Sequence, residues 1–268
     1  HGSGEQRRGQ FLPIKHFDPV FSAQENHDGF GFVSLALQDI RADALGAFMF
    51  SRPEDIAVNP ANPAQIVMAS TGRGGVFSDV WGMLYRIDID LDKEGLGGSL
   101  EAIEGIPATI TILFDGNEAG PGASRTADFA VRSPDNLDWA EDGNIYIQED
   151  RATVPGGLFG KQSGREASVW QMNPNTGGMS RILEMDRSAL PAGQTDMKSA
   201  TIGAWESSGV VDVSRYFRPH RGASSHSERV TLLMTVQAHG LQPTWLGAMQ
   251  DLQWDLVEGG QLLLVQSK

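Results

Sequence analysis

The chain has 268 residues, of which 40% are hydrophobic, so it can build a substantial core in one large domain or two small ones. Its formal net charge of −13 argues against binding to nucleic acid or to an anionic membrane surface and favours cations as partners. The sequence contains no cysteine, which excludes disulfides, zinc–thiolate sites, iron–sulfur clusters and cysteine nucleophiles, and no apolar run reaches the roughly 18 residues of a membrane span.

Residues 1–30 are predicted to be an irregular or tag-derived N-terminus. Arg7 and Arg8 lie there without the apolar stretch that an export signal needs, so we expect no signal peptide in this chain. The segment from Leu35 to Phe48 has apolar residues at rough helical spacing and predicts a short helix, although Gly46 weakens that prediction near the end.

From Asp55 onward, short runs rich in Val, Ile, Thr and aromatic residues alternate with Gly, Pro, Asn and Asp. Asp142-Gly143 separates two such runs and is typical of a tight hairpin turn, because glycine supplies the positive φ that the turn requires. Residues 136–185 therefore predict four consecutive antiparallel strands. Similar units precede and follow them, so the sequence predicts an all-β fold, a β-propeller or partial propeller of four-stranded antiparallel blades.

The predicted blades span roughly 54–115, 135–185 and 206–266 within a single domain over 1–268. The third contains only three runs, so we expect the other end of the chain to supply its fourth strand. Three blades are fewer than the about 4 to 8 that close a propeller ring. An oligomer or a second chain is therefore a candidate partner for completing the ring.

Each predicted blade begins with a short acidic segment. These segments are Arg52-Pro53-Glu54-Asp55, Ser133-Pro134-Asp135-Asn136 and Ala204-Trp205-Glu206-Ser207. Because the first strands of propeller blades line the central channel, we expect Glu54, Asp135 and Glu206 to face one another. Such carboxylates raise one another's pKa values by repulsion, and a bound cation removes that cost. Oxygen ligands without cysteine favour Ca²⁺, whereas each acid considered singly could instead cap a turn or pair with an arginine.

Arg52 lies two residues before Glu54, and such residues share one side of an extended segment. A guanidinium beside a metal–carboxylate cluster suits a tetrahedral anion, which it binds through two parallel hydrogen bonds. The alternative is a structural ion pair between Arg52 and a neighbouring acid. Among the histidines, His239 is the candidate for substrate binding because it lies at a predicted strand end beside Gln237.

Several segments between Phe48 and Gln266 resemble, in order, the C-terminal portion of the PhoX alkaline phosphatase family. They are Ser51-Arg52-Pro53-Glu54-Asp55-Ile56, Ser133-Pro134-Asp135-Asn136-Leu137, Gly143-Asn144-Ile145-Tyr146-Ile147-Gln148-Glu149-Asp150, Trp205-Glu206-Ser207-Ser208-Gly209-Val210, Val236-Gln237-Ala238-His239 and Glu258-Gly259-Gly260-Gln261-Leu262. The resemblance implies an exported propeller, periplasmic or extracellular, that hydrolyses phosphate monoesters with Ca²⁺ and Fe³⁺. The family holds iron partly through a cysteine, and this chain has none.

The resemblance also implies roles for individual residues. Glu54, Asp135 and Glu206 would be calcium ligands, and Arg52 would contact phosphate, with Arg52 and Glu54 taking part in catalysis. Further metal ligands at peripheral positions would be Asn136, Glu149, Asp115 and Glu118.

The function predicted is a metal-dependent alkaline phosphomonoesterase that acts on a small phosphoester at a calcium–carboxylate cluster. Two alternatives stay open. One is a non-catalytic, calcium-stabilised propeller module for binding, and the other is a calcium-dependent propeller hydrolase of the lactonase or phytase kind.

Overall fold

The computed structural model describes residues 2–14, 16–17, 20, 27–72, 79–91, 105–118, 130–151, 159–160, 164–217, 229–244 and 258–267. Its strands are β1 (Gln6–Phe11), β2 (Pro53–Val58), β3 (Gln65–Ser70), β4 (Met83–Ile89), β5 (Ile106–Asp115), β6 (Pro134–Trp139), β7 (Ile145–Glu149), β8 (Ser168–Met172), β9 (Met179–Glu184), β10 (Gln194–Asp196), β11 (Trp205–Asp212), β12 (Thr231–His239), β13 (Leu241–Pro243) and β14 (Glu258–Gln266). The helices are α1 (Leu35–Ala44), α2 (Ser214–Phe217) and one 3-10 turn, Gly116–Glu118. Over these ranges, none of the helices has the length and apolar character to cross a membrane.

The chain divides into two compact units. Unit 1 comprises His1–Gln6, Ser51–Ile87 and Thr111–Lys268, and unit 2 comprises Arg7–Phe50 and Asp88–Ile110. Whether the chain behaves as one domain stays a prediction.

The sheets confirm the predicted all-β fold of small antiparallel sheets, one of which is a four-stranded blade. The second sheet has the order β6-β7-β8-β9, and each of its strands pairs antiparallel with its neighbour in sequence. The first sheet has the order β1-β5-β4-β3-β2, and the third has the order β11-β12-β14. Strands β10 and β13 form a separate antiparallel pair that the sequence did not predict.

Two expectations about the N-terminus were wrong. Residues 6–11, predicted to be irregular, form β1, an exposed strand of the first sheet. The other end of the chain therefore does not supply a fourth strand to the third sheet, which has three strands over the described residues. All six residues of β1 are exposed, so this strand buries no face. Its sequence accordingly lacks the alternation of apolar and polar residues that predicts a half-buried strand.

Within unit 1, apolar side chains from neighbouring sheets pack into two main clusters. The first joins the first and second sheets through Ala57, Val67, Ala69, Leu84, Phe114, Ala130, Val131, Leu137, Trp139, Ile145, Ile147, Trp170 and Met172. The second joins the second and third sheets through Ala140, Tyr146, Val169, Val210, Val230, Leu232 and Met234. Burial of these faces stacks the blades side by side, as in a propeller.

The predicted helix in unit 2 is confirmed as α1, although it ends earlier than Phe48. The Ser34 hydroxyl accepts a hydrogen bond from the Leu37 amide at 3.2 Å and caps the N-terminus. Gly46 has a φ of 68°, a left-handed conformation that stops the helix and that glycine adopts without strain.

Candidate functional site

The edge of unit 1 that carries the predicted site is formed where β2, β6 and β11 begin. Strand β7 ends at the same edge because it runs antiparallel to β6, and β12 does so because it runs antiparallel to β11. The sheet topology thus brings together residues that are distant in sequence.

A β-bulge interrupts the pairing near the start of each of these three first strands. In each bulge, two residues face a single residue of the partner strand. These pairs are Glu54-Asp55 in β2, Asp135-Asn136 in β6 and Ser208-Gly209 in β11. A bulge redirects the side chains that it contains. Glu54 and Asp135 therefore occupy equivalent positions, whereas Glu206 lies two residues before its own bulge and is not their structural counterpart, as the repeated acidic segments had suggested.

Two non-glycine residues with positive φ precede the first two bulges. Arg52 has a φ of 58° and Ser133 has a φ of 46°, and each is followed by proline. Proline disfavours helical backbone in the residue before it, and left-handed backbone strains any residue with a Cβ, at a cost of about 1–3 kcal/mol. The carbonyl of each strained residue accepts a hydrogen bond from the end of the paired strand, at Thr71 and Asp150, which holds the conformation in place.

The Arg52 guanidinium lies between two carboxylates. One terminal nitrogen is 2.9 Å from Oε1 of Glu54 and 3.6 Å from Oδ2 of Asp150. Side-chain exposure is 37% for Arg52 and 30% for Glu54. The ion-pair interpretation of Arg52 is therefore realised, and the guanidinium also keeps a solvent-facing surface that an incoming anion can reach.

Two acids in this group have pKa values well above their usual range. Burial raises the pKa of Asp135 to about 6, and the charges of Asp150 and Glu54 add to that effect. Burial raises the pKa of Glu206 to about 9, and a hydrogen bond to Asp150 together with the charges of Asp150 and Asp135 reinforces the shift. We call Arg52, Glu54, Asp135, Asp150 and Glu206 the Arg52 cluster. It contains four carboxyl groups and one guanidinium.

His239 lies beside this cluster. Its Nε2 atom is 3.2 Å from Oε1 of Glu206, while the backbone amide of Arg151 donates to Oε2 of Glu206 at 3.3 Å. The structure therefore brings His239, at the end of β12, together with Glu206 of the Arg52 cluster.

Sequence reasoning selected Glu149 and missed Asp150. Successive side chains along a strand point to opposite faces, so only one of two neighbouring acids can face the cluster. Glu149 is fully buried on the other face, where it accepts hydrogen bonds from the Arg132 guanidinium at 2.9 Å, the Ser168 amide at 3.0 Å and the Trp170 indole at 3.0 Å. The two acids were adjacent at a predicted strand end, but nothing in the sequence indicated which face each would take.

The remaining predicted ligands have other partners. Asn136 accepts a hydrogen bond from the Gly209 amide at 3.0 Å and links the second blade to the third. Glu118 accepts from the amide and the hydroxyl of Ser3, both at 2.9 Å, and Asp115 accepts from the Asn117 amide at 2.9 Å. None of these three side chains contributes to the pKa shifts of the Arg52 cluster.

The donor set of the Arg52 cluster suits a hard cation in its chemistry. Its acids exceed its guanidinium four to one, and two of them carry raised pKa values because of burial first and then the charges of neighbouring acids. In the ranges that the structure describes, no three His, Asp or Glu side chains are arranged as a ready-made metal site. Calcium binding by Glu54, Asp135 and Glu206 therefore stays a prediction.

An apolar cavity of about 490 Å³ lies elsewhere in unit 1, where it is lined by residues such as Ile56, Val58, Val210 and Leu262. Of the acidic segments, only Asp55 lines it, although the Ser208-Gly209 bulge does so as well. The charged edge, rather than this cavity, carries the predicted chemistry.

The chain resembles Pseudomonas fluorescens PhoX. The solved structure of that protein in complex with vanadate, a transition state analogue, aligns with 98% of this chain at a TM-score of 0.53 and 17% sequence identity. The chain spans 41% of the length of that structure. No family model matches the chain, and no curated protein matches it either. At this identity the likeness establishes a PhoX-like propeller fold.

Proposed function

We propose that this chain provides the carboxylate and arginine side of a metal-dependent phosphomonoesterase site of the PhoX type. The observation that supports the proposal is the Arg52 cluster, in which an accessible guanidinium lies against an excess of acids at one propeller edge. The structural neighbour was solved with vanadate as a transition state analogue. Vanadate takes the geometry of a phosphoryl group in transfer, so a phosphoester is the substrate class that this likeness favours.

Arg52 would bind and orient the phosphate. Its planar guanidinium can donate two parallel hydrogen bonds to neighbouring phosphate oxygens, which a lysine cannot do. The ion pair with Glu54 and the strained backbone at Arg52 restrict the side chain before substrate arrives. Such restriction reduces the entropy lost when substrate binds.

Glu54, Asp135, Asp150 and Glu206 would hold Ca²⁺. When bound, the cation neutralises phosphate charge and stabilises the charge that develops during transfer. Glu206 and Asp135 would release their protons to bind it, since metal ligands must be deprotonated. Iron does not enter this proposal because the chain lacks the cysteine that the family uses.

His239 would handle a proton near the leaving group. Its Nε2 atom contacts Glu206, so the imidazole is oriented by a member of the cluster. A histidine held in this way can donate a proton to the departing oxygen or bind a phosphate oxygen.

The resemblance also leads us to propose a location outside the cytoplasm.

The direct test measures release of p-nitrophenol from p-nitrophenyl phosphate at alkaline pH, first with Ca²⁺ and then with excess chelator. We expect release that the chelator abolishes and that Arg52→Ala reduces by at least about 100-fold, the usual scale for a lost transition-state contact. Arg165→Ala is the matched control, because Arg165 is an exposed arginine that pairs with Glu184 instead. An equal loss of activity in both variants would contradict the proposal, as would p-nitrophenol release that is unchanged by the chelator.

A binding measurement complements the assay because the chain spans 41% of the PhoX structure. Calorimetric titration of vanadate into the calcium-loaded chain should show binding that Arg52→Ala weakens and Arg165→Ala leaves unchanged. Vanadate binding of equal strength in the two variants would remove the role assigned to Arg52.

A further inference from the structure

A second pair of acids lies in the first blade, apart from the Arg52 cluster. Asp79 precedes β4 and Asp115 ends β5, and both residues are more than nine-tenths buried, at 8% and 4% exposure. None of the acids of the Arg52 cluster contributes to the pKa shift of either residue. These two carboxylates therefore form a separate electrostatic group.

The segments that carry the two acids are held tightly together. The side-chain oxygen of Asn117, in the turn after Asp115, accepts hydrogen bonds from the amides of Val80 and Trp81 at 3.1 and 3.3 Å. At Gly116 a Cβ atom would lie 2.5 Å from the Trp81 carbonyl oxygen, so only glycine permits this approach. The fold thus forces the two acids into one neighbourhood.

One oxygen of this pair has no partner. Oδ1 of Asp79 is fully buried and makes no hydrogen bond, while Oδ2 lies 3.4 Å from the Ser70 hydroxyl, and the backbone amide of Gly82 also stabilises the carboxylate. Burial first, and then the charge of Asp115, raise the pKa of Asp79 to about 6. Burial raises the pKa of the Tyr85 phenol, and the charges of Asp79 and Asp115 add to that shift. Burial likewise raises the pKa of Asp115, the charge of Glu118 adds to that shift, and the positive charge of the N-terminus opposes it.

Two neighbouring buried acids are costly, because each carboxylate loses its hydration and the charge of Asp115 repels that of Asp79. We infer that Asp79 and Asp115 bind a hard cation, with Ca²⁺ as the first candidate, in a site distinct from the Arg52 cluster. Carboxylate and hydroxyl oxygens are the donors that such ions prefer, and the Ser70 hydroxyl lies beside Asp79. A cation there would join the ends of β3, β4 and β5 and brace the first blade.

The test is calorimetric titration of CaCl₂ into the full chain after removal of metal with a chelator. The variants are Asp79→Asn, Glu54→Gln and a matched control, Asp138→Asn. Asp138 is also a partly buried acid with a raised pKa, but its carboxylate accepts a hydrogen bond from the Asp212 amide at 2.6 Å. Thermal unfolding of each variant, with and without Ca²⁺, provides a second readout.

We expect Asp79→Asn to bind one calcium ion fewer per chain than the parent and to lose part of the calcium-dependent rise in Tm. Asp138→Asn should keep the parent stoichiometry. Glu54→Gln should keep the ion at Asp79, so loss in that variant alone would support the proposed function and overturn this inference. Asp115→Asn serves as the second variant if Asp79→Asn fails to fold.

Parent stoichiometry in both Asp79→Asn and Asp115→Asn would overturn the inference. It would mean that the two carboxyl groups share a proton instead of a metal ion. The inference would also be overturned if the parent chain bound no calcium at Asp79 and Asp115.

Discussion

Glu149 and Asp150 are neighbours at the end of one strand, yet they belong to electrostatically opposite regions. Glu149 is fully buried and faces the buried Arg132, with additional donors from Ser168 and Trp170. Asp150 faces the Arg52 cluster, where it raises the pKa of both Asp135 and Glu206. Alternation along β7 separates the two environments by one residue.

The comparison shows how to distinguish a structural acid from a functional one in this fold. The Arg132–Glu149 pair neutralises its charge and satisfies its hydrogen bonds within the protein, so it needs no ligand. The Arg52 cluster keeps an excess of negative charge that the protein does not neutralise. Excess negative charge around partly buried carboxylates is costly to the folded state, which is why we propose a cation as the partner of this cluster.

The largest expected effect is at the structural pair. Glu149→Gln would remove the charged partner 2.9 Å from the buried Arg132 guanidinium, so we expect a loss of about 3–5 kcal/mol in the free energy of unfolding. Urea denaturation monitored by tryptophan fluorescence measures it. A loss below about 1 kcal/mol would mean that the pair is not needed for stability.

The second effect is the pH dependence of stability that Asp135 and Glu206 of the Arg52 cluster should produce. The folded-state pKa values of about 9 for Glu206 and about 6 for Asp135 lie above those of the unfolded chain, so the folded state binds more protons. With chelator present, stability is therefore greatest below about pH 4 as far as these groups are concerned. It should fall by at least about 2 kcal/mol as the pH rises from about 4 through 6 towards 9.

Saturating Ca²⁺ should flatten that decline, because the cation replaces the protons as the partner of the carboxylates. Glu206→Gln in chelator should flatten it as well. Urea denaturation at a series of pH values measures both slopes, and an unchanged slope in calcium would separate these acids from metal binding.

A third change should reverse the sign seen at Glu149. Asp150→Asn removes one negative charge from the cluster and lowers the pKa of Glu206, so we expect the calcium-free chain to gain about 1 kcal/mol of stability. The same variant should bind Ca²⁺ more weakly in calorimetry. If Asp150→Asn destabilised the chain as Glu149→Gln does, the contrast between the two regions would be lost.

The smallest effect is expected at Asn136. The Gly209 amide, which donates to Asn136, also donates to the Gln148 side chain at 2.8 Å, so Asn136→Ala leaves that amide satisfied. We expect a cost of about 0.5 kcal/mol and unchanged calcium stoichiometry. A reduced stoichiometry would restore Asn136 as a ligand.

Much of the fold was predictable because it follows local patterns. The apolar runs and the Asp142-Gly143 turn predicted the four strands of the second sheet to within two residues. The strand β1 was not predictable, because it buries no face and has no alternation of apolar and polar residues. Among the site residues, Arg52, Glu54, Asp135, Glu206 and His239 were predicted and lie together, but their roles are still untested.

The sequence by itself determined the meander of strands and the acids at the strand ends, since both depend on residues close together in the chain. Only the tertiary structure decided that Asp150 rather than Glu149 joins the Arg52 cluster, that bulges make Glu54 and Asp135 equivalent, and that Asp79 meets Asp115. These outcomes depend on which face of a strand each side chain takes and on which distant groups surround it. Burial and charge at a site are sums over such distant neighbours, which a linear pattern does not contain.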